Sequence, residues 1–256
     1  MMRKSGPLLA VLACLAFAQP ANAQLPTPDP ALYVPDYGAM IAQDTFLRQA
    51  LGQPGGAARE QTAKERKKKA KRKKAAPKKP TARQRATLRF APVGEVTAKV
   101  DQFFLENFAA PGVAPEVVLA DLARLRSIGA EDIRRIGWRT TDLGDVAAYG
   151  LLVGYMVVNQ ESRANRKGVA LLRRAVVDEL ARTKSVRRMD DAGQQEVAEL
   201  MLLRIAYYTG WRNDLVAKGE IGAAEQVTTS LQRYLRSVYG LDVSELRLGS
   251  RGFRKR

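Results

Sequence analysis

The sequence concentrates positive charge at residues 64–80, KERKKKAKRKKAAPKKP, where eleven of seventeen residues are basic and one is acidic. The basic side chains of this basic block are Lys64, Arg66, Lys67, Lys68, Lys69, Lys71, Arg72, Lys73, Lys74, Lys78 and Lys79. Such a block can bind polyanions by releasing their counterions, and each cation contributes about 1 kcal/mol at an anionic membrane surface. It has no aromatic residue on which single-stranded bases could stack. We predict an anion-binding segment; the alternative is a solvated spacer without a single partner.

The residue types needed for common catalytic chemistry are scarce. The chain has no histidine, and Cys14 is its only cysteine. This composition excludes histidine-dependent nucleophilic systems and most zinc or copper sites. Asp142 and Asp145 could offer oxygen ligands to a metal ion, but we expect them to cap the apolar helix that follows, and we interpret Asp190 and Asp191 in the same way. We predict no metal site and no cofactor, since no Gly-rich phosphate loop or dinucleotide fingerprint is present either.

One dipeptide suggests catalysis. Glu161-Ser162 follows an apolar segment and resembles the catalytic Glu-Ser of lytic transglycosylases, where a carboxylic acid in an apolar site acts as general acid. The Gly-Leu-Met-Gln segment expected downstream is absent, so a loop between helices at 159–167 is the simpler interpretation. Glu196 and Glu199 share a predicted helix face, but nothing pairs them with an open site. We predict that the protein is not an enzyme.

Two further groups of side chains have a possible binding role. Four arginines could extend an anion-binding face, although a solvated helix face is the simpler interpretation: Arg173, Arg174, Arg187 and Arg188. Three aromatic residues could form a ligand cage, although a core or an interface is more common for such residues: Tyr207, Tyr208 and Trp211.

The beginning of the chain is typical of an export signal. Two basic residues precede an apolar run at 8–18, and Ala21 and Ala23 fit the small-x-small rule for cleavage after Ala23. The run is shorter than the roughly 20 residues that a membrane-spanning helix needs. Lipid attachment at Cys14 is the alternative. After cleavage at Ala23 the mature chain has no cysteine, so its fold must be stable without disulfides.

Composition divides the remaining chain into four parts. Residues 24–56 are rich in proline and contain one possible short helix, and residues 57–86 are a Lys/Arg-rich linker that we predict to be disordered because it has too few apolar residues to bury. Residues 87–253 are the predicted helical domain, with Leu246 and Leu248 alternating in a closing segment that can fold over it. Residues 254–256 are a basic tail.

The net charge of +17 is concentrated in one segment. Residues 59–89 hold fifteen basic and two acidic residues, whereas residues 90–256 hold 25 basic and 21 acidic residues. The predicted domain is therefore nearly balanced in charge.

Apolar residues recur at helical spacing throughout the domain. The predicted helices lie at 94–109, 114–129, 142–159, 165–182, 189–211 and 220–239, with a short helix or turn at 131–138. Gly129 and Gly240 are expected to end two of them. The stretch from Val146 to Val158 carries no charge, and Gly150 and Gly154 within it predict a close helix crossing. We predict an all-α fold, a compact bundle of about six helices around this buried apolar helix.

Four segments carry a family resemblance: TLRFAP at 87–92, DLGDVAAYG at 142–150, MDDAGQQEVAE at 189–199 and GLDVSELRLGSRGF at 240–253. They resemble a family of exported bacterial proteins with a helical domain of unknown function and a closing Gly-Leu-Asp-x-x-x-Leu-x-Leu pattern. The resemblance covers residues 87–253 and leaves the basic block outside. Gly193 stands where we would expect an acidic capping-box residue. The resemblance implies fold and export, and it assigns no activity or site residue.

Three functional hypotheses follow. The first is an exported interaction module, tethered by its basic block to lipid head groups, lipopolysaccharide or a cell-wall polymer, with a possible protein partner for the helical domain. The second is a hydrolase of the cell envelope that uses carboxylates alone. The third is a nucleic-acid-binding protein that keeps its signal and stays in the cytoplasm.

Overall fold

The computed structural model describes residues 79–109 and 112–256. The predictions for the export signal, the proline-rich segment and the basic block from Lys64 to Lys78 lie outside the described residues. Lys79 is described and is exposed.

Helices dominate the described residues, which confirms the all-α prediction. The described part of the chain has seven α-helices: α1 (Ala82–Ala86), α2 (Gly94–Phe108), α3 (Pro115–Arg135), α4 (Leu143–Val158), α5 (Arg166–Arg182), α6 (Asp191–Ala217) and α7 (Ile221–Tyr239). Two short 3₁₀ turns cover Val186–Arg188 and Val243–Glu245. An antiparallel hairpin of β1 (Leu246–Gly249) and β2 (Gly252–Lys255) ends the chain.

Helix α4 is the centre of the bundle, as its lack of charge predicted. Thirteen of its sixteen residues are buried, and it packs against α5, α6 and α7. A Cβ atom at Gly154 would lie 2.7 Å from Leu235 Cδ1, and Gly150 faces the Tyr239 hydroxyl, which donates to the Ala147 carbonyl at 2.9 Å. The two glycines therefore allow the predicted close crossing, with α7 as the partner. Within the described residues, every helix is too short or too polar to span a bilayer.

Helix α6 contacts α2, α3, α4 and α7 along its 27 residues. Its Leu203 joins a second apolar cluster with Val96, Val100 and Phe104 of α2 and Leu122 of α3. Apolar residues on several sides of α6 thus connect the central bundle to the outer α2–α3 pair.

Helix α3 differs from its prediction. We expected it to end at Gly129, with a separate short helix or turn at 131–138, but it continues without a break to Arg135. The prediction was wrong because glycine was treated as a stop signal. In the structure Gly129 is buried, and a Cβ there would lie 2.6 Å from Leu202 Cδ1. The glycine permits close packing against α6 within a continuous helix.

The predicted N-terminal boundary also differs, since α1 lies inside the range 57–86 that we predicted as a disordered linker. The helix lacks buried residues, but Thr81 and Gln84 form a reciprocal capping box at its start. Arg85 Nε lies 2.7 Å from Asp178 Oδ1 of α5. Polar contacts, which hydrophobic patterning does not detect, therefore place α1 in the fold. Pro80, just before α1, is the first buried residue in the described part of the chain.

The closing segment folds over the bundle as predicted. Leu246 and Leu248 are both buried, and Gly168 of α5 approaches Gly249 so closely that no side chain fits between them. The first two residues of the basic tail at 254–256 belong to β2, and the backbone N–H of Arg256 donates to the Glu245 carbonyl at 2.8 Å.

Candidate functional site

An arginine on α6 lies among aromatic rings. Arg204 is only 8% exposed. Its guanidinium carbon lies 5.3 Å from the ring centroid of Tyr234 on α7, and 5.6 and 6.0 Å from those of Phe108 and Phe103 on α2. At these distances the cation is attracted to the ring faces.

The sequence assembles this site through helical spacing. Tyr207, Tyr208 and Trp211 follow Arg204 at three, four and seven residues, which places them on one side of α6. Ring contacts connect them, at 5.9 Å between Tyr207 and Trp211 and 6.1 Å between Tyr208 and Tyr234. The resulting Arg204 cluster consists of Phe103, Phe108, Arg204, Tyr207, Tyr208, Trp211 and Tyr234.

The electrostatics of the Arg204 cluster are unusual. Among the described residues, none accepts a hydrogen bond from Arg204 and no carboxylate pairs with it. Burial raises the pKa of Tyr207 to about 12 and, against the opposing charge of Arg204, that of Tyr234 to about 12. Burial also raises the pKa of Tyr208. The cluster therefore combines one cation with three tyrosines that are neutral at physiological pH.

The sequence identified part of this cluster. The three aromatic residues of α6 were predicted as core, interface or ligand cage, and all three are half-buried. Arg204 was not selected, although it interrupts an apolar stripe of α6 that runs through Met201. An arginine within such a stripe is the signal that could have identified it.

The two aspartates at the start of α4 have different roles. Asp142 is the predicted cap, with its Oδ1 accepting from the N–H groups of Gly144 and Asp145 at 3.0 and 3.3 Å. Burial, together with the charge of Asp145, raises the pKa of Asp142. Asp145 is not a cap, because its oxygens pair with Arg173 at 2.6 and 3.0 Å and accept the Arg139 N–H at 2.9 Å. In the part of the chain that the structure describes, no group of three acidic side chains is placed to hold a metal ion.

The four arginines considered as an anion-binding face are not equivalent. Arg173 is held by Asp145, and its guanidinium carbon lies 5.7 Å from the ring centroid of Trp138. Arg174 lies 3.9 Å from Asp178, and Arg187 and Arg188 are exposed. Arg173 is therefore engaged inside the domain.

The candidate catalytic carboxylates make structural contacts. Glu161 accepts the Tyr155 hydroxyl at 2.5 Å, and the same hydroxyl accepts the Leu248 N–H at 3.0 Å, which joins α4 to the hairpin. Arg256 lies 3.9 Å from Glu161. The region from α4 to α5 that contains Glu161 is a loop, as predicted.

The two glutamates on α6 each have a basic partner. Glu196 pairs with Lys99 at 2.7 Å, and Glu199 pairs with Arg126 at 2.9 Å while accepting the Thr97 hydroxyl at 2.8 Å. These contacts fasten α2 and α3 to α6.

Sequence comparison places the chain in a family. Residues 2–256 match the model of a family described as a family of unknown function, DUF6683. The chain belongs to this family. The match is wider than the range 87–253 of the resemblance, and it includes the basic block. No curated protein and no solved structure matches this DUF6683 chain.

The DUF6683 domain also encloses a cavity of ≈ 30 Å³ between α3, α4 and α6. Its lining includes Asp132, Tyr149 and Thr209. The Tyr149 hydroxyl donates to Asp132 Oδ2 at 3.2 Å, and the buried Thr209 hydroxyl has no hydrogen-bond partner in the described part of the chain. Small-molecule sites are usually of about 300–1,000 Å³, so this cavity is too small to hold a substrate.

Asp132 makes the stability of the domain dependent on pH. Burial raises its pKa above the ordinary value of 3.8. Between pH 3.8 and the raised pKa of Asp132, the folded state binds more protons than the unfolded state. The stability of the domain therefore falls as the pH rises through this range, and the loss persists at neutral pH. We expect Asp132→Asn to raise the urea midpoint at pH 7, because the amide needs no charge desolvation and its oxygen still accepts from Tyr149.

The control is Glu131→Gln, because Glu131 is an exposed residue on the same helix that pairs with Arg135. It should change the midpoint little at either pH, whereas the gain from Asp132→Asn should vanish below pH 3.8, where the aspartate is protonated. An Asp132→Asn gain of equal size at pH 3 and pH 7 would contradict the assignment.

Proposed function

We propose that this protein is an exported, non-enzymatic bacterial interaction module, tethered by its basic block to an anionic surface of the cell envelope. The observation that carries the proposal is the position of the charge. The basic block ends at Lys79 and Pro80, where the described fold begins, and the residues from 90 onward are nearly balanced between 25 basic and 21 acidic residues. The basic block therefore adjoins the described domain along the chain.

Internal pairing of charges in the domain supports this division of roles. Arg126 contacts both Asp101 and Glu199, at 2.5 and 2.9 Å, and Arg173 contacts Asp145 at 2.6 Å. Each pair links two helices and reduces the charge that the domain presents to a distant polyanion. We therefore assign the attraction to an anionic surface to the basic block.

The anions expected for an exported protein are lipid head groups, lipopolysaccharide phosphates and acidic cell-wall polymers. A cluster of this size contributes about 1 kcal/mol per cation near such a surface, so half of the block suffices for measurable attachment. The attraction falls with ionic strength, because the Debye length shortens from about 30 Å at 0.01 M to about 8 Å at 0.15 M.

Deletion of residues 59–78 tests the tether. The signal-free protein should bind vesicles of phosphatidylglycerol and phosphatidylethanolamine at low salt and leave them as salt rises, and the deletion should not bind. The helical circular dichroism should be unchanged, because the deletion ends before Pro80. A control with the same residues in scrambled order should retain binding. Equal retention of the full and deleted proteins on these vesicles would refute the tether.

The nucleic-acid alternative has its own test. N-terminal sequencing of the protein from its native cell reports whether the chain begins at Met1 or after Ala23. A retained Met1, together with tighter binding to duplex DNA than to vesicles, would replace our proposal with the nucleic-acid hypothesis.

A further inference from the structure

We propose that the Arg204 cluster is a binding site for a carboxylate carried on an apolar or aromatic group. This inference concerns the helical domain alone and stands whether or not the basic block is a tether. Two arginines, Arg126 on α3 and Arg204 on α6, differ in their partners. Arg126, with a side chain 18% exposed, contacts two carboxylates. Arg204 is 8% exposed and has none among the described residues.

A buried arginine without an acceptor is costly for a protein. The guanidinium stays protonated at all physiological pH values, and its donors lose hydration on burial. Cation–π contacts with three rings offset part of this cost, but they provide no acceptor for the N–H groups. None of the Arg204 nitrogens is among the fully enclosed side-chain atoms without a partner, so its N–H groups still reach water. An external anion that replaces this water would use the hydrogen-bonding capacity of Arg204 and complete the site.

The chemistry of the guanidinium determines which anion fits. The guanidinium carbon of Arg204 lies 5.3–6.0 Å from the ring centroids of Phe103, Phe108 and Tyr234. These contacts accept no hydrogen bond, so the N–H groups, which point outward in the plane of the guanidinium, remain available to an acceptor. A carboxylate matches them, because its two oxygens can accept two parallel N–H groups.

The charge of the cluster favours a carboxylate over a phosphate. Arg204 is the cation among the rings, and the hydroxyls of Tyr207, Tyr208 and Tyr234 are neutral at pH 7, which is far below their pKa values even before burial raises them. One cation neutralises a monoanion, whereas a phosphate monoester carries about −1.5 to −2 at pH 7 and would remain partly uncompensated among apolar rings. The hydroxyls can add hydrogen bonds without adding charge.

The surroundings of Arg204 favour an apolar group attached to the carboxylate. Tyr207, Tyr208 and Trp211 are half-buried, so their rings offer surface along α6 next to the guanidinium. Beyond them, Val216 near the end of α6 and Ile221 at the start of α7 are exposed apolar residues. Aromatic and apolar ligand groups bind such surfaces by removing them from water.

The test uses the signal-free full chain in 150 mM salt, with binding followed by NMR titration. The probes are N-acetylphenylalanine, its neutral amide, phenyl phosphate, and an eight-residue peptide that ends in phenylalanine with a free or an amidated terminus. We expect saturable binding of a free carboxylate and none of its amide. The stronger of the two carboxylate probes identifies whether the natural source is a small acid or a polypeptide terminus.

Arg204→Met removes the charge, keeps an apolar side chain of similar length, and leaves the basic block intact. It should weaken carboxylate binding at least about tenfold, since a hydrogen bond to a charged group is worth about 1.5–3 kcal/mol.

The matched control is Arg212→Met, which removes an α6 arginine whose Nε donates to the Thr228 hydroxyl at 3.1 Å, and it should leave the affinity unchanged. The acid-against-amide comparison in the unaltered protein does not require either variant to fold. Equal binding of acid and amide, undiminished binding by a folded Arg204→Met protein, or tighter binding of phenyl phosphate would each overturn the proposal.

Discussion

A chain that begins at residue 91 is expected to be less stable than one that begins at residue 79 by about 3–6 kcal/mol. The reason is the burial of Leu88 and Phe90, of which Leu88 is fully enclosed and Phe90 nearly so. Each such side chain contributes about 1.5–3 kcal/mol by leaving water. The segment also aligns with the start of α4, because the Phe90 N–H donates to the Thr141 carbonyl at 3.1 Å and the Leu143 N–H donates to the Leu88 carbonyl at 2.9 Å.

Urea unfolding of three chains that begin at residues 79, 87 and 91 measures this effect. The chain from 87 begins where the sequence placed the domain boundary, and it loses α1, the buried Pro80 and the ion pair of Arg85 with the buried Asp178. It keeps Leu88 and Phe90, so its free energy of unfolding should fall by less than that of the chain from 91. If the chains from 87 and 91 unfold at the same urea concentration, the segment 87–90 does not stabilise the domain as its burial implies.

Hydrophobic periodicity predicted the outer helices of the domain because helices such as α2 and α7 bury one face each. The central position of α4 followed from the absence of charge between Val146 and Val158. The starts of α4 and α6 followed from Asp142 and Asp190, whose carboxylates accept backbone N–H groups at the caps. These features depend on residues within one turn of each other, so a single sequence contains the necessary information.

Other features depend on residues far apart in the chain and could not be predicted in the same way. Gly129 is a stop signal in isolation, and only the presence of Leu202 makes it a packing position. The capping box at Thr81 and Gln84 is visible in the sequence, but a capping box alone does not show that α1 docks on α5. The isolation of Arg204 is likewise a property of three helices together, because the nearest acidic residues along the sequence do not reveal which side chains meet in space.

The Arg173→Met substitution is expected to destabilise the domain by about 3 kcal/mol, because it leaves a carboxylate buried without its cation. Asp145 is 0% exposed, and its remaining contact is the Arg139 N–H at 2.9 Å. The Arg173 side chain is 42% exposed, which places the cost at the lower end of the range for buried pairs. Its hydrogen bond to Asp145 raises the pKa of Arg173, so the guanidinium stays protonated at neutral pH.

The neighbouring arginine provides the control for this prediction. Arg174 is 57% exposed and lies 3.9 Å from Asp178, so Arg174→Met should change stability by less than about 1 kcal/mol. Adding Asp145→Asn to Arg173→Met should restore stability, because the buried group then carries no charge and its oxygen can still accept the Arg139 N–H. Urea unfolding of the single and double variants measures this coupling. If the double variant is no more stable than Arg173→Met, the unpaired charge of Asp145 is not the cause of the destabilisation. The loss of the contact between Arg173 and Trp138 would then explain it.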